Sequence, residues 1–257
     1  MSANAFVYDT ATGTFLYTKG NVNDKVYPAS ITKLYSAWVA LQYLDPETVV
    51  TAGDEVKWID PDSSRAWIYK GQRVKVKTLV AGMMLPSGND AAYILAVAAG
   101  RAIAQDSGMD AKAALDVFIE QMNTMASDAG FTGSHFVNPD GIHDANHYMT
   151  MADLARLGVL AMDNAVIRQA VGKRAESGTL VSGEKYNWQN SNQLLNTSSK
   201  YYHADACGLK TGSTDDAGHC LLSSFPGDGG YLIIGTFGGK GQNDRYVDTL
   251  ALYDFFR

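Results

Sequence analysis

Apolar and polar residues alternate near both ends of the chain and recur at helical spacing between them. Ala5–Asp9 and Thr14–Thr18 are β-rich, and Thr10–Gly13 between them has turn composition, so an N-terminal hairpin is predicted. Pro28 breaks that pattern. From Ser30 to Leu44 the apolar positions Ile31, Leu34, Tyr35, Trp38, Leu41 and Leu44 follow a helical period. A mixed polar stretch with Gly53, Pro61 and Gly71 follows, then a short strand at Val74–Lys77 and a helix capped by Thr78 and ending near Pro86. Further helices are predicted at Asn89–Gln105, Asp110–Ala129 (stopped by Gly130), Thr150–Met162 and Ala165–Val171. Residues 131–148 read as loop, and 173–206 as polar and irregular. Strand patterns return at Cys207–Gly212, His219–Ser224 and Tyr231–Phe237, and a helix at Asp244–Phe256 closes the chain.

Strands at both ends with helices between them predict an α+β fold. One antiparallel sheet is built from both chain termini and flanked by helices, with a mainly helical lobe inserted. No repeat and no Pro-rich or Gly/Ser-rich linker divides the chain. The expectation is a single domain, 1–257, with an α/β lobe at about 1–50 and 203–257 and a helical lobe at about 51–202.

Composition narrows the function classes. The 257 residues, 46% of them hydrophobic, suffice for a core without a disulfide or metal staple. Twenty-one cationic against 27 anionic side chains leave −6, which disfavours non-specific nucleic-acid binding. Cys207 and Cys220 make neither a disulfide framework nor a metal motif, and two buried free thiols are expected. No His-Glu-x-x-His motif occurs among the five histidines, and His143 and His147, four apart, lie in a loop-like stretch that implies no shared helical face, so no metal or other cofactor is expected. No apolar run reaches the length of about 18 residues that a membrane span needs, and no leader with a basic start and apolar stretch precedes the first strand.

Three short motifs carry candidate chemistry. Ser30-x-x-Lys33 opens a predicted helix, and its i, i+3 spacing puts hydroxyl and amine on one face. A lysine serves as base there only if burial or a neighbouring cation lowers its pKa. Ser87-Gly-Asn89 lies in a turn before a helix, where either side chain can equally act as a plain cap. Lys210-Thr211-Gly212-Ser213 ends a predicted strand. Lys210 and Thr211 suit a carboxylate, and Gly212 lets a ligand approach the backbone, although an ordinary strand-end turn has the same composition. A second Ser-x-x-Lys, Ser182 to Lys185, and a second Ser-x-Asn, Ser2 to Asn4, fall out of order and drop away.

Ser-x-x-Lys, Ser-x-Asn and Lys-Thr-Gly in that order form the signature of penicillin-recognising serine enzymes. With Tyr27-Pro-Ala-Ser-Ile-Thr-Lys33, Met84-Leu-Pro-Ser-Gly-Asn-Asp-Ala-Ala92, Phe136-Val-Asn-Pro-Asp-Gly-Ile142 and His147-Tyr-Met-Thr-Met-Ala-Asp-Leu-Ala155, the chain resembles the low-molecular-mass penicillin-binding proteins, serine-type D-Ala-D-Ala carboxypeptidases, from about Ala5 to Phe256. The resemblance implies a β-lactamase/transpeptidase-like fold. It makes Ser30 the nucleophile, Lys33 its base and Ser87 a proton relay. Asn89 would hold Lys33 and bind the substrate amide, Lys210 and Thr211 would bind the terminal carboxylate, and the backbone N–H groups of Ser30 and Ser213 would form the oxyanion hole. The implied partners are a peptidoglycan stem peptide ending in D-Ala-D-Ala and β-lactam inhibitors, with no nucleic acid. The implied location is extracytoplasmic, with the leader and any membrane anchor absent from this chain.

Three rivals share these motifs. A class A β-lactamase needs a loop glutamate after Ser-x-Asn, whereas Glu120, the only glutamate between Ala91 and Met149, falls mid-helix. A D,D-endopeptidase uses the same site on crosslinks. A penicillin sensor would acylate and stall, and would bring a membrane segment or signalling domain.

Overall fold

The structure, a computed structural model, describes residues 1–257. The alternating N-terminal segment forms the hairpin β1 (Asn4–Asp9) and β2 (Thr14–Lys19), followed by the short β3 (Lys25–Val26) and helix α1 (Thr32–Ala40). Next come β4 (Val49–Thr51), β5 (Arg73–Lys75), α2 (Val76–Met84), α3 (Asn89–Ile103) and α4 (Ala111–Asp128). Then follow β6 (Met149–Thr150), α5 (Met151–Asp163), α6 (Ala165–Val171), β7 (Ala175–Thr179) and β8 (Lys185–Gln189). β9 (Gly208–Thr214), β10 (Gly218–Gly227), β11 (Gly230–Gly239) and α7 (Asp244–Phe256) complete the chain.

The main sheet is antiparallel in the order β2-β1-β11-β10-β9, so both chain ends build it, as the patterning predicts. Period-two alternation divides its side chains between two faces. Val7, Leu221, Leu232 and Ile234 meet Tyr246 and Tyr253 of α7. Phe6, Leu222, Ile233 and Phe237 face the larger core that includes Leu154 and Leu157 of α5 and the residues of α1 to α4. At roughly 25 cal/mol per Å2 of buried apolar area, each fully buried large aliphatic or aromatic side chain contributes about 1.5–3 kcal/mol.

Several local expectations shift. The first helix is shorter than Ser30–Leu44: Ser30 occupies a separate 3-10 turn, Ala29–Ile31, and the helix proper ends at Ala40 in tight turns. Thr78 does not cap α2, which begins at Val76 straight from β5. The backbone N–H groups of Val76 and Lys77 donate to the carbonyls of Thr48 and Pro46, so loop backbone replaces a side-chain cap. The stretch 173–206 is not wholly irregular, because β7 pairs with β8 within it. Asp110, Thr150 and Asn164 cap α4, α5 and α6 with their side chains. Cys207 and Cys220 are both free. Cys220 is buried as expected, but Cys207 is only half-buried because it precedes the sheet edge at β9.

Candidate active site

The three motifs lie far apart in sequence, and each is held in an uncommon backbone conformation. Ala29, directly before Ser30, has φ 48°; Ser87 itself has φ 63°; Leu209, directly before Lys210, has φ 72°. Only five non-glycine residues have positive φ, and three of them fall on the three motifs. Such strain persists only where packing over-determines it, and it concentrates at functional sites.

The turn carrying Ser30 is clamped from two sides. A Cβ on Gly212 would stand 2.7 Å from the Pro28 carbonyl oxygen and 3.2 Å from the Ser30 nitrogen. The close approach expected at Gly212 therefore exists, but what approaches is the turn of the nucleophile itself rather than a ligand. On the other side lies Asn138-Pro139-Asp140-Gly141. Asn138 Oδ1 accepts from Gly141 N–H at 2.7 Å and Asp140 Oδ1 from Ile142 N–H at 3.2 Å, which fixes a tight turn.

That turn points the Asp140 carbonyl at Lys33. The Lys33 Nζ donates to Asp140 O at 2.8 Å and to Ser30 Oγ at 2.7 Å. Lys33 is fully buried, and desolvation lowers its pKa to about 8, against the opposing pull of the Asp140 and Asp90 charges. Asp140 is buried too, and burial raises its carboxyl pKa. No hydrogen bond joins Asn89 to Lys33, contrary to expectation; the partners of Lys33 Nζ are Ser30 Oγ and Asp140 O.

A second pair stands beside the first. Lys210 is 1% exposed, and its Nζ donates to Ser87 Oγ at 2.9 Å and to Thr211 O at 3.1 Å. Its pKa is pushed well down by desolvation, then by the positive charges of Lys33 and Arg245. Ser87 thus serves Lys210 and caps no helix; Gly88 occupies the cap position of α3. Thr211 shares a hydrogen bond of 2.8 Å with Ser191 Oγ.

Arg245 has no counterpart in the sequence reading. From the first turn of α7 its buried guanidinium donates to Gly212 O at 3.2 Å, Ser213 Oγ at 3.1 Å and Cys220 O at 3.4 Å. Ser213 also shares a 3.0 Å hydrogen bond with His219 Nδ1. Only the position of Arg245 at a helix start, behind the Lys-Thr-Gly strand, could have flagged it, and that position is set by the sheet topology.

Ser30, Asn89 and Ser213 open into one cleft of about 480 Å3. Lys33, Ser87, Lys210, Thr211 and Gly212 are buried behind it. Its rim carries the exposed Asp60, Asp62, Asp215 and Asp216, the last 3.6 Å from His143 Nε2. The site therefore combines a hydroxyl bonded to a buried amine, a second buried lysine and a buried guanidinium. Chemically this suits attack on a carbonyl next to a carboxylate.

The D-alanyl-D-alanine carboxypeptidase of Streptomyces sp. (strain K15) is 32% identical over 91% of this chain and 79% of its own length. The D-alanyl-D-alanine carboxypeptidase DacF of Bacillus subtilis (strain 168) is 26% identical over 98% of this chain, which spans 61% of that relative's length. The crystal structure of the Streptomyces K15 DD-transpeptidase superimposes with a TM-score of 0.88 at 30% identity, covering 99% of this chain and 96% of that one. The D-alanyl-D-alanine carboxypeptidase DacD from Francisella tularensis, at 23% identity and a TM-score of 0.80, shares the fold over 99% of this chain and 70% of its own. The sequence profile of the D-alanyl-D-alanine carboxypeptidase family matches residues 1–241, and the chain belongs to that family.

Proposed function

We propose that this chain is a serine peptidase that removes the terminal D-Ala from stem peptides ending in D-Ala-D-Ala. The observation that carries the proposal is the 2.7 Å hydrogen bond between Lys33 Nζ and Ser30 Oγ, made by an amine whose burial lowers its pKa to about 8. In its neutral form Lys33 takes the Ser30 proton as Oγ attacks the penultimate carbonyl. Asn89, facing the cleft, binds the peptide amide. The backbone N–H groups of Ser30 and Ser213 receive the oxyanion, each worth about 3–4 kcal/mol in comparable sites.

Ser87 passes a proton to the departing D-Ala nitrogen. Lys210 and Thr211 hold the terminal carboxylate, and Arg245 adds its charge from beneath the strand. The C–N bond breaks, an ester forms on Ser30, and water hydrolyses it. Residues 1–257 then act as one catalytic unit of two lobes, because the cleft draws on the terminal sheet at Ser213 and on the helical segment at Asn89. A peptidoglycan substrate places the protein outside the cytoplasm; no helix is long and apolar enough to cross a membrane.

A second acceptor is supported by one observation: the Streptomyces relative is named both carboxypeptidase and DD-transpeptidase. The same ester passes to water in one case and to an amine in the other, and an endopeptidase would form it from a crosslink. A fast β-lactamase is not supported, since no glutamate lines the cleft.

Mass spectrometry of products from a muropeptide mixture tests the proposal. Loss of one alanine is expected from monomers. Splitting of dimers without that loss would make the chain an endopeptidase, and no change would overturn the proposal.

A further inference from the structure

Of the two remaining non-glycine residues with positive φ, Gln105 closes the end of α3 in the left-handed conformation common there, whereas Trp67 lies in a loop that ends no helix. Its φ is 61° and it is 64% exposed. A bulky residue gains nothing by folding in that conformation and then lying in water. The backbone around it is nevertheless locked. The buried carboxylate of Asp90 accepts from Ala66 N–H at 2.7 Å and from Ile68 N–H at 2.9 Å. The buried indole of Trp188 donates to Ala66 O at 2.9 Å. Residues 66 and 68 are each 3% exposed, so the residue between them is fixed and its ring is thrust outward.

The ring borders a groove of about 370 Å3. Trp67, Tyr69 and the half-buried Tyr186 supply its aromatic surface, and Gln72, Glu184 and Asn187 supply polar groups. Tyr69 is 58% exposed. Tyr186 stacks on Trp188 with ring centres 4.2 Å apart, which stiffens the far wall. The groove is distinct from the active-site cleft but lies close to it along the chain: Ser63 and Ser64 line the cleft, and Asn89 N–H donates to Ser64 O at 2.9 Å. Three residues of chain, at most about 11 Å, separate Ser64 from Trp67.

We propose that this groove binds the glycan strand to which the stem peptide is attached. Sugar rings present flat C–H faces to aromatic rings and hydroxyl or acetamido edges to planar amides and carboxylates, and this groove offers both kinds of surface. A lipid surface would call for surrounding cations, whereas here Glu184 is matched by Lys185. The choice of glycan rests on the peptidoglycan reading above. The strain at Trp67 is then a cost retained for binding, as is usual at ligand sites.

The test titrates the whole chain with a β-1,4-linked N-acetylglucosamine tetramer, followed by tryptophan fluorescence and indole NMR. Wild type is expected to bind, and Trp67→Ala and Tyr69→Ala to bind about tenfold more weakly. Trp67→Gly relieves the strain, so it is expected to raise Tm while losing binding. Release of D-Ala from intact peptidoglycan should fall in all three variants, with release from a soluble N-acyl-D-Ala-D-Ala peptide unchanged. Absence of tetramer binding, equal binding by wild type and Trp67→Ala, or a Trp67 response to the sugar-free stem peptide alone would overturn the glycan assignment. Tetramer binding through Trp67 in a chain that releases no D-Ala from either substrate would support the groove and remove the carboxypeptidase reading instead.

Discussion

Gly141 lies against Ala29 so closely that a Cβ on it would stand 1.8 Å from the Ala29 carbonyl oxygen. Its φ of 84° excludes an ordinary side chain independently. The contact joins the Asp140 turn to the turn bearing Ser30, so it sets the distance from Lys33 to both its partners. Gly141→Ala is therefore expected to destabilise the protein by about 2 kcal/mol or more and to slow acylation of Ser30. Urea melts and the rate of labelling by a fluorescent penicillin measure the two effects; a variant with native values for both would show that the contact yields freely.

His147 makes stability sensitive to acid. Nδ1 accepts from Val137 N–H at 3.2 Å, so Nε2 carries the proton and donates to Thr32 Oγ1 at 2.8 Å. Burial, the largest cause, lowers its pKa from 6.5 to about 4. The unfolded chain thus binds this proton first as pH falls. The stability contribution is complete above pH 6.5 and is lost between there and about pH 4, a change of roughly 3 kcal/mol. Denaturation of wild type and His147→Gln at pH 7, 5 and 4 should show a flatter acid slope in the variant; parallel slopes would mean that other groups carry the effect.

Lys210 lies on the Lys-Thr-Gly strand, and the Arg245 guanidinium is packed beneath it, donating to the Gly212 carbonyl. Lys210→Ala and Arg245→Met are each expected to raise KM for a D-Ala-D-Ala peptide about tenfold or more, and to affect an ester substrate without the carboxylate much less. Equal effects on both substrates would remove the carboxylate-binding role.

Asp90 holds three buried backbone N–H groups, those of Ala66, Ile68 and Ala91. Asp90→Ala strands all three and is expected to cost about 3 kcal/mol or more. Hydrogen exchange should speed up at residues 66–68 first. Unchanged protection there would show that Trp188 alone holds the segment.

Local signals in the chain were enough for the sheet and the motifs. β1, β10 and β11 are legible because each strand buries large apolar side chains on both faces and so reads as a short apolar run. The order of Ser30-x-x-Lys33, Ser87-x-Asn89 and Lys210-Thr211-Gly212 could be read directly, since each motif is set by short spacing. The β7–β8 hairpin escaped because β7 is polar and small with no large apolar residue, so the alternation of Lys185-Tyr-Asn-Trp-Gln189 in β8 stands without a patterned partner. The Asp140 carbonyl and Arg245 escaped for a different reason. Their contacts span 107 and 33 positions and use backbone oxygens, which no side-chain pattern marks. Gly212 shows the limit from the other side: its close approach was foreseen, but only the fold reveals that the neighbour is the Ser30 turn.

The claim that a buried, neutral Lys33 activates Ser30 is tested most directly by the pH dependence of acylation. Labelling by a fluorescent penicillin should rise with pH through about 8, as Lys33 loses its proton. Mass spectrometry should place the adduct on Ser30, and Ser30→Ala should take no label. A labelling rate that is flat from pH 6 to 10, or label that persists on Ser30→Ala, would contradict the mechanism.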